Sequence, residues 1–350
     1  EERRIELLKA AGFNAVRASH NPLSRAMLEA CDRLGVLVMD EFSDVWTRSK
    51  TDHDYARDFP QWWERDIEAM VAKDVNHPSV VLYCIGNEIP ESGDPTLQWI
   101  GRAIAEKVRS LDPTRYVASA VSGMLAMRSS QLRALGRARV EAEAEGGINT
   151  IMWRFQKHLD EILAGDDASD EMEPAFSYTD VAGFNYMPLR YPLEGDRFPN
   201  RVVVGSETHG PAIDLYWREV ATRPNLIGDF CWTGWDYLGE VGVGRTTYAE
   251  DSADAPMGFM AGFPWLTAWA GDLTITGHRR PLSYYRETVF GLRDQPTIAV
   301  WRPEHHGKTP QGGPWAWSDS EVSWSWAGYE GRPVTVDVYA DADEVDLLVN

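Results

Sequence analysis

Residues 24–42, SRAMLEACDRLGVLVMDEF, decide the fold. Ser24 reads as a helix N-cap, and Met27, Ala30, Cys31 and Leu34 recur at helical spacing. Gly35 stands where a helix stop is wanted. VLVMDEF (36–42) then runs almost unbroken in apolar residues before closing on polar ones. A strand this apolar is covered on both faces, as in a parallel sheet.

The same alternation extends in both directions. Upstream, NAVRASH (14–20) reads as a strand. Downstream, Pro60 opens a helix whose stripe is Trp63, Ile67, Met70 and Val71. VVLYCIGNE (80–88) is the next strand, and Leu97, Ile100, Ile104, Val108 and Leu111 mark the next helix. YVASAV (116–121), DVAGFNY (180–186), VVVGSET (202–208) and LIGDFCWTGWD (226–236) continue the series, with helices near 148–164, 213–223 and 279–290. Strands alternating with helices imply a parallel sheet. The chain opens in a helix that should follow a strand, so the expected fold is α/β: a (β/α)8 TIM barrel whose first strand lies outside this chain. A doubly wound open sheet would normally carry a Gly-rich phosphate turn after an early strand, and neither GxGxxG nor GxxxxGK[ST] occurs.

Between 122 and 179 the spacing stretches, with ARVEAEAEGG and an acidic GDDASDEMEP, read as an insertion and a solvated loop. From 296 the pattern changes to short alternating runs, TIAVW, EVSWSWA, PVTVDVYA and EVDLLVN. These predict a catalytic barrel over 1–295 and the start of an antiparallel β-sandwich over 296–350.

Composition is that of a globular chain: 43% hydrophobic and 25% charged. A formal charge of −20 repels phosphate backbones and anionic lipid, so nucleic acid and membrane surfaces are poor partners. Fifteen tryptophans suit stacking on flat apolar faces of a ligand, or simply a packed core. Cys31, Cys84 and Cys231 are too scattered for a disulfide framework or a metal cluster. No run approaches the roughly 18 apolar residues of a membrane span. The chain begins without methionine inside a helix and stops within a strand-like run, so it reads as a slice of something longer. The missing leader therefore says nothing of localisation, although a cytoplasmic setting is slightly favoured, and a homo-oligomer is left open.

Barrel enzymes carry their chemistry at the carboxyl ends of the strands. Here those ends hold His20, Asp40, Glu41, Asn87, Glu88, Asn185, Tyr186, Glu207, Trp232, Trp235 and Asp236. Glu88 and Glu207 stand out because the strands before them are so apolar. With the missing strand counted they close the fourth and seventh strands, where they can face each other over the barrel mouth. Two facing carboxylates are what acetal hydrolysis requires: one protonates the leaving oxygen, the other attacks the oxocarbenium-like centre. Mutual repulsion raises one pKa and keeps that carboxyl protonated for the acid role.

VRASHNPLSRAMLEACDRLGVLVMDEF, DVNHPSVVLYCIGNE, VVVGSETHG and GDFCWTGWDYLGE resemble the catalytic domain of glycoside hydrolase family 2. That family holds β-galactosidases, β-glucuronidases and β-mannosidases, and the resemblance covers roughly residues 1–295. It implies a retaining mechanism with Glu88 as acid/base and Glu207 as nucleophile. It further implies Asn87 on the sugar 2-hydroxyl, Arg17 and Tyr186 on the nucleophile, His20 in the sugar site, and Trp232 or Trp235 as its floor. Asp236 is a plausible polar contact. Arg17 could instead be an ordinary ion pair with Asp40 or Glu41, and His20 a helix-entry residue held by the Asn-Pro turn. Two tryptophans three apart on one strand point to opposite faces, so only one should line the pocket. By the same resemblance Mg2+ or Na+ could bind near the site, without assignable ligands, and the segment after 296 would be an immunoglobulin-like module. The Asn-x-Lys signature of the family's glucuronidases is not found, which favours terminal β-galactosides, although Arg190 or Arg245 could hold an acid group by another route. A non-catalytic glycan-binding protein is the reading from a different class.

Overall fold

The computed structural model describes residues 1–126, 159–250, 261–346 and 348. The chain divides into two compact units. The first comprises Glu1–Lys9, Phe13–Thr208 and Arg218–Cys231; the second comprises Ala10–Gly12, His209–Trp217 and Trp232–Asn350.

The first unit is built on β1 (Ala15–Arg17), β2 (Leu37–Glu41), β3 (Val80–Asn87), β4 (Tyr116–Val121), β5 (Val181–Asn185), β6 (Val202–His209) and β7 (Leu226–Trp232). They form one seven-stranded sheet in sequence order, parallel at every pairing from β1–β2 to β5–β6. Helices α1 (Glu2–Ala10), α2 (Arg25–Leu34), α3 (Phe59–Asp74), α4 (Gln98–Leu111), α5 (Gly123–Ala126), α6 (Asp166–Phe176), α7 (Arg190–Arg197) and α8 (Ile213–Thr222) intervene. This is the expected TIM-type barrel, one strand short of eight.

Local chemistry explains the elements that frame the site. Ser24 caps α2, its side chain accepting from the Met27 N–H, and Gly35 ends that helix in the left-handed region at φ 70°. Phe59, Ile67, Met70 and Val71 are buried along α3, which has proline in its first turn. Met39, Leu82, Cys84, Ala118, Ala120, Val181 and Val204 form one buried cluster spanning β2 to β6. Small and β-branched residues fill a narrow barrel interior without voids.

Two differences from the sequence reading stand out. The acidic run read as a loop is α6, because Asp166 and Asp167 fall in its first turn, where negative charge complements the exposed N–H groups. The last barrel strand ends at Trp232, so Trp235 lies beyond it and the argument from alternating faces does not reach it. Of the helix expected near 148–164, residues 159–163 are helical and the rest up to 158 lies outside the described residues, as does most of the 122–179 insertion.

In the second unit, β8 (Thr246–Tyr248) pairs antiparallel with β10 (Pro310–Gly312). β9 (Thr297–Trp301) is the centre of an antiparallel sheet flanked by β11 (Ser320–Glu321) and β12 (Val336–Tyr339). The sheet centred on β9 is antiparallel, as the alternation after 296 predicts, whereas β8 lies before that stretch and was not read as a strand. Helix α9 (Pro281–Val289) carries Arg286, which donates to both oxygens of buried Asp272 at 2.7 and 3.0 Å. Such a planar two-point pairing fixes geometry as well as charge.

Candidate active site

A register irregularity precedes each of the two glutamates. Between β3 and β4 the partners step from Cys84–Ala118 to Asn87–Ala120, so β3 carries one extra residue. Between β5 and β6 they step from Phe184–Gly205 to Asn185–Glu207, so β6 carries one extra residue. Side chains alternate with period two, so Val204 and Glu207 would otherwise point to opposite faces. The bulges re-aim Asn87 and Glu207 toward the side that Met39 and Val204 occupy.

Arg17, at the end of β1, is the hub of the site. Its Nε and Nη2 donate to Glu41 Oε2 at 2.9 and 2.5 Å, and Nη1 donates to Glu207 Oε1 at 2.9 Å. Nη1 also donates to Ser206 O at 2.8 Å, and Nη2 to Asn87 Oδ1 at 2.9 Å. Arg17 thus both pairs with Glu41 and reaches Glu207. The Arg17 side chain is 4% exposed and that of Glu41 fully buried, so neither charge could stand here unpaired. Burial opposes ionisation of Glu41, but the Arg17 charge and the His20 hydrogen bond hold its carboxyl below the usual range.

His20 Nδ1 lies 2.6 Å from Glu41 Oε1, while Nε2 lies 3.3 Å from Asn87 Nδ2 and 3.4 Å from Glu207 Oε1. Burial disfavours the imidazolium, yet the hydrogen bond and charge of Glu41 outweigh it and raise the His20 pKa. Asn87 is 3% exposed and occupied on both sides: Oδ1 accepts from Arg17 and from Asn185 Nδ2 at 3.0 Å, and Nδ2 donates to Asp44 Oδ1 at 2.9 Å. Asn185 Nδ2 also donates to Glu88 Oε1 at 3.1 Å, and its Oδ1 accepts from Ser206 Oγ at 2.6 Å. A hydrogen-bonded path therefore runs from Glu207 through Arg17, Asn87 and Asn185 to Glu88. Burial and the nearby negative charge of Glu207 push the Glu88 carboxyl up to about 7.

Tyr186 meets the nucleophile candidate through the main chain, its N–H donating to Glu207 O at 2.8 Å. Both Glu88 (φ 46°) and Tyr186 (φ 56°) sit in the left-handed region, which costs a residue with a Cβ and gathers at functional sites. Arg17, His20, Asn87, Glu88, Tyr186 and Glu207 thus lie together in the first unit. Beside them a cavity of about 590 Å3 runs from His20 and Asp44 past Phe42 and Tyr55 to Met70 on α3.

Trp232, Trp235 and Asp236 belong to the second unit. There Trp232 Nε1 donates to the Tyr237 hydroxyl at 3.0 Å, with the two rings edge to face. Asp236 is buried, accepting from the Gly271 N–H at 2.8 Å and pairing with Arg280. Arg190, considered for an acid group, is instead buried against Glu194 and Ser169 Oγ. Among the described residues no three His, Cys, Asp or Glu side chains converge as metal ligands, so none is assigned to Mg2+ or Na+. No helix among them is long and apolar enough to cross a membrane. The sequence reading missed Asp44 and Lys50, which touch the site from the loop after β2, and Ser206, which stands beside Glu207 in β6.

A family model described as the TIM barrel domain of glycosyl hydrolases family 2 matches residues 2–138. A β-galactosidase of Bacteroides ovatus is 29% identical over 377 residues, taking in all of this chain and 40% of its own length. A putative β-glucuronidase of Formosa agariphila is 26% identical over 99% of this chain and 30% of its own. Among solved structures, a glycosyl hydrolase family 2 member from Bacteroides cellulosilyticus superposes with a TM-score of 0.73 at 36% identity, over 97% of this chain and 37% of that one. The chain thus spans well under half the length of these relatives. Barrel topology, the two strand-end glutamates and these matches agree: the chain belongs to glycoside hydrolase family 2.

Proposed function

We propose that the protein carrying this chain is a retaining exo-β-glycosidase that removes terminal β-galactosyl residues, with Glu88 as acid/base and Glu207 as nucleophile. The observation that carries this reading is the hydrogen-bonded path joining the two carboxylates, with one of them pushed up to about 7. Arg17 places a positive charge 2.9 Å from Glu207 Oε1 and so orients that carboxylate for attack on the anomeric carbon. Glu88, protonated at rest, gives its proton to the leaving oxygen. Esterification of Glu207 then removes the neighbouring negative charge, the Glu88 pKa drops, and Glu88 becomes the base that activates water. His20, Asn87 and Tyr186 are proposed to contact the sugar or align the nucleophile.

An NMR time course of the first-formed anomer tests the mechanism: the β-anomer should appear first, and initial α-anomer would remove Glu207 as nucleophile. Galactoside preference is supported by the Bacteroides ovatus relative and by the lack of an Asn-x-Lys signature. The Formosa agariphila relative favours a second reading, a β-glucuronidase. A panel of chromogenic β-glycosides separates the two, and faster turnover of the glucuronide would replace the galactoside assignment.

A further inference from the structure

The connection after β2 is tied to the segment around Glu88 far more heavily than a loop requires. Ser43 O accepts from the Asn87 N–H at 3.0 Å, and Trp46 Nε1 donates to Ile85 O at 3.0 Å. One oxygen of buried Glu91 accepts from Thr47 N, Thr47 Oγ1 and Arg48 N at 2.8, 2.6 and 2.7 Å. Asp54 Oδ2 takes the Lys50 and Thr51 amides at 2.7 and 3.0 Å. From this anchored backbone Lys50 Nζ donates to Asn87 O at 2.9 Å and to Asp44 Oδ1 at 2.7 Å. The same Asp44 oxygen accepts from Asn87 Nδ2 at 2.9 Å. Asn87 is therefore held at both its carbonyl and its side-chain amide.

That carbonyl belongs to the peptide joining Asn87 to Glu88. The N–H of the same peptide donates to Ala120 O at 2.7 Å, so both its polar groups are fixed. Glu88 follows at φ 46°, a conformation that persists only where the surroundings over-determine it. Rotation of this one peptide would swing the Glu88 carboxyl off its line. We propose that Asp44 and Lys50 form a clamp that fixes the Asn87–Glu88 peptide and thereby aims the Glu88 carboxyl for proton transfer. They are positioning residues, and the inference rests on Glu88 being the acid/base. Besides burial, the groups bearing on the Glu88 charge are Glu207 on β6, Asn185 on β5, Lys50 on this loop and His20 after β1.

The test uses the full-length enzyme and a series of aryl β-glycosides that it cleaves, graded from activated to poor leaving groups. Proton donation matters for poor leaving groups and little for activated ones. Lys50→Met should lose about 10²-fold in kcat/KM on the poorest member and less than about threefold on the most activated. Its basic limb should also move up, because a positive charge that favours the Glu88 carboxylate is gone. Lys50→Arg should restore most of both. Asp44→Asn, at a half-exposed position, should show a smaller loss with the same grading. A loss that is uniform across leaving groups, or an unmoved basic limb, would overturn the clamp. If Lys50→Met does not fold, the grading in Asp44→Asn decides. Glu88→Ala in the same series separates the two ideas: an ungraded loss without rescue by azide sinks the acid/base assignment. Graded loss in Glu88→Ala but in neither clamp variant sinks the clamp alone.

Discussion

Glu88, the proposed acid/base, owes its behaviour to its surroundings more than to its own side chain. Its carboxyl is pushed up to about 7 first by burial and then by the charge of Glu207, with Asn185, Lys50 and His20 pulling the other way. If Glu88 is the acid, its protonated form is the one that works, so the basic limb of kcat/KM should fall as pH rises through about 7. Removing the Glu207 charge should shrink the upward shift and leave the part that burial causes. In Glu207→Gln the Glu88 carboxyl should titrate at lower pH, read from its 13C chemical shift. An unchanged midpoint would show that burial alone sets it. Glu88 and Glu207 were legible in the sequence because each ends an apolar strand. The means of tuning them was not: Asn185 stood among the strand-end residues with no assigned role, and Lys50 sits in a polar loop that no periodicity marks.

At the level of elements, β2 to β6 could be read from their apolar runs, because strands buried on both faces leave a near-unbroken signal, while half-buried β1 and β7 were read from the alternation with helices. The bulges in β3 and β6 left none. A one-residue register step is a property of the pairing between two strands, and neither strand records it in its own hydropathy. Helix α6 was hidden for a different reason, since a cluster of acids suits a solvated loop and a helix N-terminus equally well. The close packing of β5 gives a prediction at this scale. A Cβ on Gly183 would stand 2.6 Å from the Ser119 carbonyl oxygen and 2.9 Å from Ser206 Oγ. The first contact is backbone of the adjoining strand and has no rotamer by which to escape. The second is the hydroxyl that holds Asn185. Gly183→Ala should therefore cost about 1–3 kcal/mol of stability, by overpacking and backbone shift. It should also lower kcat more than KM, because Asn185 links Asn87 to Glu88. Thermal unfolding and steady-state kinetics would check this, and a variant as stable and active as the parent would show that the strands have room to part.

For the whole chain, net charge bears on the remaining choice between a neutral and an anionic sugar. A formal charge of −20 creates a negative field that extends about one Debye length, roughly 8 Å at physiological salt and about 30 Å at 0.01 M. A neutral galactoside does not feel that field on approach, whereas a glucuronide is repelled until salt screens it. Arg17 cannot offset the repulsion, because its charge is already taken up by Glu41 and Glu207. For an aryl β-galactoside, kcat/KM should accordingly change by less than about twofold between low and high salt. For the matching glucuronide it should rise with salt from a lower starting value. Fast glucuronide turnover that falls as salt is added would mean that a local cationic pocket overrides the field, and the galactoside assignment would then give way to the uronide.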